Sequence, residues 1–146
     1  MEEAVHFVQE VVEEDGPFDC VIGFSQGASV AAAYIAHCEK DPTVLDLPFR
    51  MAVFICAALI PPELAAKSEL AKSIQSFGNI SVPTVSIVGQ RDLCYNQSVA
   101  LATTCKNTTS QLVFFDGGHH VPKDSGNLKR LALVLERMSR ISHARH

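Results

Sequence analysis

An α/β fold built on a parallel sheet is predicted by three features of this 146-residue sequence. Short apolar runs of strand length recur along it, helical periodicities lie between them, and Gly, Pro or Asp stands near most junctions. Strands that alternate with helices require right-handed crossovers, which give a parallel sheet of about four strands with helices on both faces. A compact chain of this length buries roughly 70% of its unfolded surface, so a single domain spanning 1–146 is expected.

Each element has its own signal. Val5, Val8, Val11 and Val12 fall at helical spacing with acids opposite, and Gly16-Pro17 ends that helix. Residues 18–23 read as a short buried strand, and the alanine-rich stretch 26–40 reads as a helix stopped by Asp41-Pro42. The run MAVFICA at 51–57 is a strand, 63–76 a helix or equally a looser surface segment, and PTVSIVG at 83–89 a strand. A helix over 96–106, a strand over 111–116 and a closing helix over 125–142 complete the pattern. In the closing helix Leu128, Leu131, Leu135 and Met138 form an apolar face behind an Asp124 cap.

Composition narrows the function. With 47% hydrophobic and 19% charged residues the chain is of ordinary globular type. A net charge of -4 gives no basic field for nucleic acid or anionic membrane, and no apolar run reaches bilayer length. The acidic, amphipathic start lacks the basic and apolar regions of a signal peptide, so a cytoplasmic protein is expected. Five cysteines at 20, 38, 56, 94 and 105, widely spaced and without a CxxC pair, read as free thiols in a reducing compartment.

In an open parallel sheet the chemistry gathers where strands end at their carboxyl edge. One such loop holds Gly23-Phe24-Ser25-Gln26-Gly27, a G-x-S-x-G between a strand and a helix. That turn lifts Ser25 above the sheet, its two glycines avoid clashes, and the Gln26 N–H faces a developing oxyanion. The alternative role for Ser25 is an N-cap. A serine nucleophile needs a base, and the loop FFDGGHHVPKD offers His119 and His120. His119, directly after Gly117-Gly118, is preferred, with His120 shaping the pocket. The histidine needs an acid, and Asp92 in VGQRDLCYN falls in the chain order Ser, Asp, His. Its competitors are Asp116 and Asp124, and its alternative role is a turn residue paired with Arg91.

These segments carry a resemblance. GPFDCVIGFSQGASVAA, VGQRD and GGHHVP resemble the nucleophile, acid and histidine loops of the FSH-type (family of serine hydrolases) α/β-hydrolases, common in fungi, and more distantly acyl-protein thioesterases and dienelactone hydrolases. The G-G-H-x-V-P pattern independently favours His119. The resemblance implies a partial α/β-hydrolase fold, the carboxy-terminal part, with the amino-terminal strands missing. Among those would be the His-Gly loop that gives a second oxyanion donor, whose loss costs about a hundredfold to a thousandfold in turnover.

The resemblance also implies cleavage of carboxylic esters or thioesters, free or carrier-bound, including fungal secondary-metabolite (polyketide) intermediates. The residues themselves imply an acyl-enzyme on Ser25, resolved by water that His119 activates, with no cofactor and no metal. Two other readings stand beside it. The same triad serves an acyltransferase when an alcohol or amine replaces water, and an impaired hydrolase can act as a binding module. The strand at 18–23 would leave one sheet edge unpaired, so self-association through that edge is expected.

Overall fold

The computed structural model describes residues 2–59, 80–105, 108 and 110–143. Its elements are helix α1 (Glu2–Asp15), strand β1 (Phe18–Phe24), α2 (Gln26–Lys40), β2 (Phe49–Ile55), β3 (Thr84–Gly89), α3 (Tyr95–Thr104), β4 (Gln111–Phe115) and α4 (Ser125–His143). The helix expected over 63–76 lies outside the described residues.

The four strands form one sheet in the order β1-β2-β3-β4, with every neighbouring pair parallel. Apolar residues on both faces of β2 explain its nearly continuous hydrophobic run, while β3 is buried on both faces with Val85 and Ile87 on one and Thr84, Ser86 and Val88 on the other. Ala52 and Phe54 of β2 pack against Val5 of α1, the alanine face of α2 and Leu101 of α3. Met51, Val53 and Ile55 point the other way, with Val85 and Ile87 of β3 and Val113 and Phe115 of β4, onto Leu131 and Met138 of α4. Helices thus cover both faces. Among the described residues no helix is long and apolar enough to cross a membrane.

Two expectations are corrected. The second strand runs two residues earlier than 51–57: Phe49 already pairs with Phe18, and at Cys56 the backbone turns to φ 46 and leaves the extended region. Hydrophobicity continues through Cys56 and Ala57, so the sequence alone places the end too late. On α4, Leu128 is 49% exposed, because it precedes the turn at which Leu131 first meets the sheet. The expected Asp124 cap is present, its Oδ1 accepting the Asn127 N–H at 2.9 Å.

Among the described residues β1 is an edge strand, bonded to β2 on one side. α4 lies chiefly over β2 and β3, so Ile22, whose register partner is the buried Val53, is itself 65% exposed. Phe54→Ala is therefore predicted to cost about 3–5 kcal/mol, and Ile22→Thr less than about 0.5 kcal/mol. Denaturant unfolding checks the contrast, and comparable losses would mean that the β1 edge is covered.

Candidate active site

The site begins at the junction of β1 and α2, where a strand must become a helix across one residue. Ser25 takes φ 56 and ψ -123, a backbone conformation that costs a side-chain-bearing residue about 1–3 kcal/mol. Its neighbours hold it there. The Ser25 N–H donates to the Ile55 carbonyl at 2.9 Å, continuing the β1-β2 ladder, and its carbonyl accepts the N–H groups of Ala28 and Ala58, each at 3.1 Å. The hydroxyl makes no capping bond to α2, so the N-cap alternative does not describe this serine. Gln26 follows as the first residue of α2, and its N–H belongs to the first-turn amides that helical bonding leaves unsatisfied.

The two flanking glycines are not equivalent. A Cβ at Gly23 would lie 2.4 Å from Ala28 Cα, whereas one at Gly27 meets no atom within 4 Å among the described residues. The expected steric need holds at Gly23 and is corrected at Gly27.

The structure brings Ser25, His119 and Asp92 together. His119 Nε2 stands 2.8 Å from Ser25 Oγ, and its Nδ1 stands 3.0 and 3.1 Å from the two Asp92 carboxylate oxygens. An ionised carboxylate only accepts, so Nδ1 donates to Asp92, and Nε2 is the ring nitrogen that faces the hydroxyl. Backbone bonds between the two loops supply the geometry. The Arg91 N–H donates to Gly117 O at 2.8 Å and the Gln90 N–H to Phe115 O at 3.0 Å. Gly89 allows this approach, since a Cβ there would sit 2.5 Å from Gly118 O.

The Asp92 side chain is fully buried. Burial alone would raise its pKa, but hydrogen bonds from the Cys94 amide at 2.8 Å, the Cys56 thiol and His119, with the charge of His119, outweigh it and leave the carboxyl below its ordinary value. The competing acids are committed elsewhere. Asp116 pairs with Arg91 at 3.2 Å on the surface, which also removes the suggested Arg91–Asp92 pair, and Asp124 caps α4. His120 is engaged elsewhere, its ring edge-on to Phe115 and its Nδ1 donating to Val121 O at 3.0 Å. His143 lies in the last turn of α4, with Nδ1 donating to Ser139 O at 2.7 Å.

Two neighbours were not singled out from the sequence. The Phe24 ring is tilted against His119 with centroids 5.1 Å apart and remains 40% exposed, an apolar wall beside the hydroxyl. Cys56 is fully buried beneath the acid and the histidine, its Sγ within 4.8 Å of their donor atoms. The rule that sites gather at strand ends could have found Cys56, which directly follows β2. The three groups could surround a small metal ion only if Nδ1 gave up its proton and its bond to Asp92.

A model of a family described as serine hydrolase (FSH1) matches residues 1–131. The chain belongs to the FSH1 serine hydrolase family. Among its relatives, esterase FPY3 of Fusarium mangiferae is 35% identical over 82% of this chain and 56% of its own length. Hydrolase phiM of a fungal species is 28% identical over 94% of this chain and 66% of its own. This FSH1-family chain thus spans between about half and two thirds of the curated relatives it matches. Its fold is similar to that of a solved Rhizomucor miehei esterase, at 16% identity and a TM-score of 0.72 over 99% of this chain and 60% of the other.

The glycine contrast is open to measurement. Gly23→Ala is predicted to destabilise by about 1–3 kcal/mol through overpacking, and Gly27→Ala to be neutral or stabilising by up to about 1 kcal/mol in the first turn of α2. Equal losses in thermal unfolding would contradict the asymmetry.

Proposed function

We propose that this chain carries the acyl-transfer chemistry of a serine hydrolase, with Ser25 as nucleophile, His119 as general base and acid, Asp92 as the group that orients and stabilises the imidazolium, and the Gln26 N–H as an oxyanion donor. The observation behind it is the unbroken hydrogen-bond relay from Ser25 Oγ through both ring nitrogens of His119 to a buried, ionised Asp92. As Oγ attacks the acyl carbon, its proton passes to Nε2. The tetrahedral oxyanion faces the Gln26 N–H and the positive end of α2. Collapse breaks the bond to the leaving group, which takes the proton from Nε2. Water then attacks the acyl-enzyme, gives its proton to the same nitrogen and releases the acid with Ser25 restored.

The substrate in this proposal is a carboxylic ester or thioester with an apolar portion against Phe24, either a small molecule or an acyl group on a carrier. Relatives named esterases favour the oxygen ester, and their fungal sources suit a role in secondary metabolism. An alcohol or amine in place of water would make the same relay an acyltransferase.

A fluorophosphonate probe is predicted to label Ser25, and His119→Ala or Asp92→Asn to slow labelling by about a hundredfold or more. Labelling that is absent, or unchanged in His119→Ala, would refute this chemistry. Hydrolysis of short p-nitrophenyl esters is expected to exceed that of matching acyl thioesters, and the reverse order would reassign the leaving group.

One observation favours a second role, as an interaction module. A groove of about 600 Å³ along the β1 edge is lined by Phe7, Val8, Val21, Ile22 and Val30, and Phe7 and Ile22 are 64% and 65% exposed. An apolar groove beside an unpaired strand edge favours pairing between two copies. Sedimentation at micromolar concentration is predicted to detect self-association that Ile22→Lys weakens. A monodisperse monomer would rule it out.

A further inference from the structure

We propose that Cys56 is a positioning residue for the acid–histidine pair, its thiol donating a hydrogen bond to the Asp92 carboxylate and holding it against His119 Nδ1. The proposal rests on the serine-hydrolase reading for its catalytic meaning and on the local geometry for its substance.

A buried cysteine is most often a small apolar filler. Three observations separate Cys56 from that role. First, its backbone is in the left-handed region at φ 46, and among the described non-glycine residues only Ser25 shares a positive φ. Glycine is the residue that adopts this conformation without strain, so a side chain retained there carries a use that offsets its cost. Second, the thiol is surrounded by polar atoms of the site rather than by side-chain carbon alone. The single thiol proton has two long carbonyl acceptors, Gly118 O at 3.7 Å and His120 O at 3.6 Å, on either side of His119, and the charged Asp92 carboxylate competes for it as the stronger acceptor. Sγ is also within 4.8 Å of the Asp92 and His119 donor atoms. Third, the carboxylate needs another donor. A buried carboxylate offers about four acceptor sites, and besides the thiol its donors are the Cys94 amide at 2.8 Å and His119 Nδ1 at 3.0 and 3.1 Å.

The thiol suits this task because it stays protonated. Burial, then its hydrogen bond to Asp92, pushes its pKa up to about 11, so at neutral pH it is an S–H donor and a poor nucleophile. Its own position is fixed from both sides. The Cys56 N–H donates to Ile87 O at 2.9 Å. The next two carbonyls, Ala57 O and Ala58 O, accept the hydroxyls of Ser98 at 3.0 Å and Ser29 at 2.7 Å. β2 therefore brings a rigidly held donor under the acid loop, and the same turn holds Ser25 through the Ala58 N–H.

The test compares wild type with Cys56→Ser, which keeps a donor, Cys56→Ala, which removes it with the same backbone demand, and Cys56→Gly, which removes it and relaxes the left-handed backbone. Thermal unfolding identifies folded variants, and Cys56→Gly stands in should Cys56→Ala not fold. The deciding readout is the His119 Nδ1–H proton resonance, which needs no turnover. It is expected downfield in wild type and Cys56→Ser and shifted or broadened in Cys56→Ala and Cys56→Gly. Fluorophosphonate labelling is expected to slow about tenfold in the donor-less variants and to recover to within about threefold in Cys56→Ser. A resonance that stays in place in the donor-less variants overturns the proposal whatever the labelling rate. Failure of wild type to label removes the hydrolase reading, while the resonance still decides the hydrogen bond.

Discussion

The architecture turns on one strained residue. At Ser25 the chain must leave a parallel strand and enter a helix without an intervening loop, and only a positive φ makes that reversal in a single step. The strain persists because three backbone bonds, to Ile55, Ala28 and Ala58, over-determine the position. Two of these come from β2 and the turn after it, so the position of Ser25 depends on the β1-β2 register as much as on its own sequence. The hydroxyl, excluded from capping α2, is left facing His119.

From that point the polar relay runs from two accessible groups to two buried ones. Ser25 is half-buried, the His119 side chain is 35% exposed, and Asp92 and Cys56 are buried. A negative charge so far from water is sustainable only with several donors, and the amide, imidazole and thiol around Asp92 supply them. Each donor comes from a different strand end, which makes the site a product of the sheet rather than of any single loop. Arg91, the cation adjacent in sequence, is turned to Asp116 on the surface, so the buried carboxylate is left for the histidine.

Much of this was legible in the sequence, for physical reasons that also mark the limits. Short apolar runs bounded by turn residues mark all four strands and their alternation with helices marks the parallel sheet, while the boundaries of α2 follow from the strand-to-helix turn at Ser25 and the Asp-Pro stop. That Ser25, Asp92 and His119 converge could be anticipated because a strand-to-helix turn, a chain order and a glycine pair each leave a local trace. The end of β2 was misread because it is set by backbone conformation at Cys56, where hydrophobicity does not change. The role of Gly27 was overstated because a motif records residue identity and not the space around it. Cys56 was missed for a related reason: its partners, Asp92, Gly118 and His120, are distant in sequence and meet it only through the sheet.

The central claim is that Ser25 becomes acylated because His119, held by Asp92, removes its proton. Rapid quenching after exposure to p-nitrophenyl acetate, followed by intact-mass and peptide mapping, measures that step directly. The account predicts one acetyl adduct, mapped to Ser25, that does not accumulate in His119→Ala. An adduct mapping to a cysteine, or one that forms at Ser25 equally fast without His119, would contradict it.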